Sequence, residues 1–143
     1  MRREDKYPET ECFVFDNVNP SNRFTNDCVI RAIAGAAEKP WDEVFDGLCE
    51  LAKKYHEMPN DRKVYGRYLE RNGWVRCGQP RWDDGSKYTG KDFVEMYEGN
   101  TNVVAHIGGH HMVCIKPKDG KYKIHDTWDS SGGCVGVYWM KED

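Results

Sequence analysis

Apolar positions recur along this chain at two spacings, helical through the first half and alternating near the end. Val29, Ile30, Ile33, Ala34 and Ala37 fall on one helical face. The Ala34-Gly35-Ala36-Ala37 stretch lets that helix pack closely in a core. Thr25, Asn26 and Asp27 precede it, and each carries a side-chain oxygen able to cap its free N–H groups. Pro40 opens a second helix with Trp41, Val44, Phe45, Leu48, Leu51, Ala52 and Tyr55 as its stripe. Met58-Pro59-Asn60-Asp61 ends it and caps a third helix through Val64, Tyr65, Tyr68 and Leu69, which stops at Asn72-Gly73.

The stretch 74–90, with Gly78, Pro80, Gly85 and Gly90, reads as loop, and Thr89 caps a short helix through Phe93, Val94 and Tyr97. Asn102–Ile107, His111–Lys116, Lys121–Asp126 and Val135–Met140 then read as four strands. Asp119-Gly120 is a hairpin signal between the second and third. Upstream of the first helix the chain reads either as irregular or as a short strand in Glu11–Phe15. The layout is α+β, a helical half followed by an antiparallel meander. Residues 1–143 form a single domain, with no repeat and no linker.

Net charge is −3 with a pI near 6.0, so there is no basic footprint for nucleic acid. No apolar run is long enough for a membrane span, and the charged segment Met1–Lys6 lacks the apolar stretch of a signal peptide. These features predict a cytoplasmic protein. Six cysteines in such a setting argue against a disulfide framework, and the absence of a Cys-x-x-Cys pair argues against a zinc ribbon. Cys49 and Cys114, set among apolar residues, read as buried hydrophobes.

Cys28 differs from the other cysteines. A free thiol titrates near ~8.5, and a helix N-terminus or a neighbouring imidazolium lowers that value. Cys28 falls in the first turn of its helix, Cys49 inside a helix and Cys114 inside a strand. His110 and His111 open a strand and point to opposite faces, His111 with Val113 and Ile115, His110 with Met112 and Cys114. Asp126 ends the next strand in phase with Ile124 and Tyr122, where a carboxylate needs a partner. An imidazole on the adjoining strand supplies one, and the carboxylate would fix its tautomer. His125 alternates away and reads as a surface residue. An acyl intermediate needs an oxyanion hole, for which the Cys28 N–H and a side-chain amide, Asn22 or Asn26, are the candidates.

The ordered set Cys28, His111, Asp126 resembles a papain-like cysteine peptidase of minimal size. The stretch Thr25–Ala34 and the strand ending in Asp126 are similar to the bacteriocin-leader-processing peptidases and their short relatives in bacteria and phages. The resemblance implies a helical half carrying Cys28 packed on an antiparallel sheet carrying His111 and Asp126. In that superfamily a Gln commonly lies six positions before the nucleophile and serves the oxyanion hole; here that position is Asn22, one methylene shorter. His111-Met112-Val113 fits the family's pattern around the histidine better than His110-His111-Met112.

The function so implied is a thiol hydrolase cutting a peptide, isopeptide or related amide bond in a peptide or protein substrate, with no cofactor. The same groups can run acyl transfer. A non-catalytic domain that binds a peptide or partner protein is the other reading, with Trp74, Trp82, Tyr88, Trp128, Tyr138 and Trp139 available to line a groove. A metal site from His106, His110, His111 and His125 is disfavoured, because strand alternation scatters these side chains. Trp82, Asp83 and Asp84 are candidates for an acidic cleft wall that would select basic substrates.

Overall fold

A computed structural model describes residues 1–141. The elements run α1 (Arg3–Lys6), β1 (Phe13–Phe15), α2 (Cys28–Ala37), α3 (Trp41–Tyr55), α4 (Arg62–Arg71), β2 (Trp74–Cys77), α5 (Gly90–Met96), β3 (Val103–Ile107), β4 (His111–Lys118), β5 (Lys121–Asp126) and β6 (Val135–Lys141). The fold is α+β, with one sheet in the order β1-β5-β4-β3-β6-β2.

Three expectations change here, the first being the short helix α1 in a stretch that reads as irregular. The sheet is mixed, because β1 pairs parallel with β5 (Phe13 with Ile124, Phe15 with Asp126) while its other pairings are antiparallel. The stretch 74–90 is also not all loop: Trp74–Cys77 pairs with Tyr138–Lys141 of β6. The helical half thus lends one strand to each edge of the meander. A four-residue strand with only Trp74 buried has no two-residue period to read, which is why the sequence shows it as loop.

The sheet is buried on both faces, which accounts for the apolar character of both faces of β4. Met112 and Cys114 join Val104 and Trp139 in a core with α2, α3 and α4. Val113 and Ile115 join Val103, Ala105, Ile107, Ile124 and Phe13 in a second core with Phe93 of α5. α2 is apolar nearly all round and lies between the sheet and α3, as a buried central helix must. Its closeness to the sheet depends on Gly35, where an added Cβ would lie 3.1 Å from Cys114 Sγ.

The helix ends follow local chemistry. α2 and α3 stop at Glu38 and His56, both left-handed (φ 55 and 57), with the next N–H turned back to Ala34 and Ala52. Asp61 caps α4 by accepting from the Lys63 N–H at 2.9 Å. Thr89 and Asp92 form a reciprocal capping box on α5. At α2 the expected cap is not made: the Asp27 carboxylate turns to side chains instead. All six cysteines are free thiols; Cys12 and Cys114 are buried, Cys49 is half-buried and Cys134 is exposed. Among the described residues no helix is long and apolar enough to cross a membrane.

Candidate active site

β4 begins and β5 ends at the same end of their hairpin, and the first turn of α2 meets the sheet there. His111 is the first residue of β4, Asp126 the last of β5 and Cys28 the first of α2. His111 Nε2 lies 2.5 Å from Asp126 Oδ2. That leaves Nδ1 as the ring nitrogen available to the thiol. The Cys28 thiol and the His111 ring lie close enough for each to shift the other's titration.

The electrostatics favour charge separation. Burial opposes protonation of His111, but Asp126 and Cys28 outweigh it and lift the ring from its ordinary 6.5 to about 9. Burial likewise opposes ionisation of Cys28, and here the His111 side chain, the Met112 backbone and the charges of His111 and Arg31 win, so the thiol sits below its ordinary value. Cys114, fully buried on the same sheet, is pushed up to about 12 by desolvation. Burial and Asp46 raise Cys49. Cys28 is the thiol with a built reason to ionise.

Asp126 is 1% exposed and fully engaged. Besides His111, its carboxylate accepts from Arg31 Nη1 at 2.7 Å and from the Thr127 N–H at 2.7 Å. Arg31, one turn along α2 from Cys28, also donates through Nε to Asp27 Oδ1 at 2.8 Å. Asp27 in turn accepts from Asn19 Nδ2 and Trp41 Nε1, each at 3.0 Å. A chain of buried charge therefore ties the helix that carries the thiol to the strand that carries the carboxylate. Trp128 covers His111, with ring centroids 4.8 Å apart. His111 and Trp128 border an open cleft of about 380 Å³ with Gly108, Ser130, Gly132 and Gly133.

Cys28, His111 and Asp126 come together as the sequence reading has them, and the exposed His110 does not join them. Asn22 stands apart. It lies in a left-handed turn (φ 53) with an exposed side chain, and among the described residues no hydrogen bond ties that side chain to the thiol. The loop before α2 is organised by Asn19 instead, whose Oδ1 accepts from the Ser21 and Arg23 N–H groups. His125 is no surface residue: its ring packs against the Lys116 carbonyl at 3.1 Å and lies 3.4 Å from Asp16. Trp82, Asp83 and Asp84 sit in an exposed turn, where Asp84 caps Ser86 and Trp82 packs on Tyr88, and they do not border the cleft beside His111.

Sequence reading missed Arg31, Asp27 and Asn19. One signal was present: Arg31 is the only charged residue in the apolar run of α2, and Asp27 lies four positions before it, within helical reach. Among the described residues no cluster of His, Cys, Asp and Glu suits a metal ion. Comparison with family models, with curated proteins and with solved structures returns no match for this chain.

Proposed function

We propose that this protein is a papain-like thiol hydrolase that cleaves a peptide, isopeptide or related amide bond through Cys28, His111 and Asp126. The observation that carries the reading is the Asp126–His111–Cys28 line, with Nε2 on the carboxylate and Nδ1 left for a thiol at a helix N-terminus. Cys28 Sγ attacks the carbonyl carbon as thiolate, while His111 already holds the proton. The oxyanion forms beside the Cys28 backbone N–H, which as the first of the helix has no helical partner. Collapse breaks the C–N bond, and His111 passes its proton to the leaving amine. Water then attacks the thioester, His111 takes its proton, and the acid leaves as the Cys28–His111 pair is restored.

The test is digestion of a complex peptide library in ¹⁸O-labelled water by wild type and by Cys28→Ser, read by mass spectrometry. Hydrolysis predicts new C-termini carrying ¹⁸O with wild type and none with the variant. New amide linkages without ¹⁸O would assign acyl transfer to the same residues. Equal patterns from both proteins would overturn the catalytic reading in favour of a binding domain.

A further inference from the structure

A second, smaller pocket lies between α4 and the sheet. It has a volume of about 70 Å³ and is lined by Arg62, Tyr65, Arg76, His106, Met112 and Trp139, with Val137 at its margin. Met112 follows His111, and its backbone acts on the Cys28 thiol. The Cys28 charge also reaches the Tyr65 hydroxyl. Cys28 does not line the pocket, but it packs against the core cluster that holds Tyr65 and Met112.

Its polar groups are nearly all of one kind. Arg62 opens α4, Arg76 lies on β2, and His106 lies on β3 in register with Met112. Both arginines are exposed, and among the described residues neither has a carboxylate within ion-pair distance. Two guanidiniums without a carboxylate partner and an imidazole therefore meet at one pocket. Burial, then Arg62, His110 and His111, hold His106 below its ordinary value, so without a bound anion the ring is neutral. Trp139, Tyr65 and Met112 give the pocket apolar walls, which strengthen a charge contact. The volume admits a carboxylate group and excludes a bulky side chain.

We infer that Arg62, Arg76 and His106 form a subsite for a carboxylate carried by the substrate next to the scissile bond. Two planar guanidinium forks suit a carboxylate better than any neutral group. The carboxylate comes either from an acidic side chain or from a free α-carboxylate. This selectivity is opposite in sign to the one Asp83 and Asp84 suggested. The inference rests on the thiol-hydrolase reading, and its test separates the two.

Three near-isosteric alkylating reagents serve: N-iodoacetyl-glutamine with a free α-carboxylate, N-iodoacetyl-glutamate α-amide with a side-chain carboxylate, and neutral N-iodoacetyl-glutaminamide. Rates at Cys28 are followed by mass spectrometry in wild type, Arg62→Gln, Arg76→Gln and, as a charge-matched control, Arg67→Gln. One carboxylate reagent should outpace the neutral one by about tenfold, the value of one charge-assisted contact, and its identity names the source. Taken as the ratio of carboxylate to neutral rate within each protein, that advantage should be lost in Arg62→Gln and Arg76→Gln and kept in Arg67→Gln. Equal rates for all reagents, or an equal loss in Arg67→Gln, would overturn the subsite. If the neutral reagent modifies Cys28 no faster than Cys77, the thiolate reading itself fails and the subsite fails with it.

Discussion

Replacing Asp126 by Asn keeps the shape of the side chain and the acceptor for the Thr127 N–H, but removes the charge beside His111 Nε2. Burial alone favours a neutral thiol and a neutral ring, and in the wild type Asp126 and the thiolate reverse this by lifting His111 to about 9. An adjacent opposite charge is worth about 1–3 pK units, so the ion pair should become about 10- to 1,000-fold less populated. Iodoacetamide alkylation of Cys28 reads this directly when followed from pH 4 to 10, site by site. Wild type should show a reactive limb well below pH 8, and Asp126→Asn a midpoint at or above ~8.5, the free-thiol value. The substitution also strips Arg31 of one of its two carboxylates, so folding must be checked by circular dichroism. His111→Gln, which leaves Arg31 untouched, should give the same displacement. A folded Asp126→Asn protein with the wild-type profile would refute the proposed coupling between carboxylate, ring and thiol.

Arg31→Met leaves Asp126 and Asp27 buried with fewer partners, and should cost about 3–5 kcal/mol in urea unfolding; a loss under 1 kcal/mol would contradict the buried network. Because His111 rises from 6.5 to about 9 on folding, its share of stability, up to about 3 kcal/mol, is fully present below pH 6.5 and lost as pH climbs through 9. Urea midpoints between pH 6 and 10 should fall in that window for wild type, by less in Cys28→Ser, and not at all in His111→Gln. At Gly90 an added Cβ would meet Ile107 Cδ1 and Ile124 Cδ1 at 2.8 Å and the Ser131 backbone at 3.1 Å. The isoleucine tips can yield but the backbone cannot, so Gly90→Ala should lose about 1–3 kcal/mol of thermal stability.

Helices α2 to α5 and the four late strands were legible because each carries a long periodic stripe or a turn with its own chemistry, as at Pro40, Asp61, Thr89 and Asp119-Gly120. Cys28, His111 and Asp126 were legible for a related reason: each stands at the end of an element, where periodicity places it. β2 is too short to show a period, and although Glu11–Phe15 offers a strand, its parallel pairing across most of the chain leaves no local trace. Side-chain partnerships are hidden in the same way. Asp27 and Asn19 look like cap and turn residues until the fold brings Arg31 and Trp41 to them. His125 alternates as a surface residue should, yet the sheet is covered on both faces and its ring is enclosed beside Asp16. The basic pocket draws on α4, β2, β3 and β6, and no stretch of sequence contains it.

The strand pairing also sets an order in time. β1 and β2 wait for β5 and β6, which are synthesised much later, and such long-range pairings close late and slowly. The groups that lower the Cys28 thiol lie mostly in that late portion, since His111 and the Met112 backbone belong to β4, and Asp126, which holds the charge on His111, belongs to β5. During synthesis Cys28 leaves the ribosome as an ordinary thiol, without the ring that would ionise it. The lowered thiol is a property of the finished sheet.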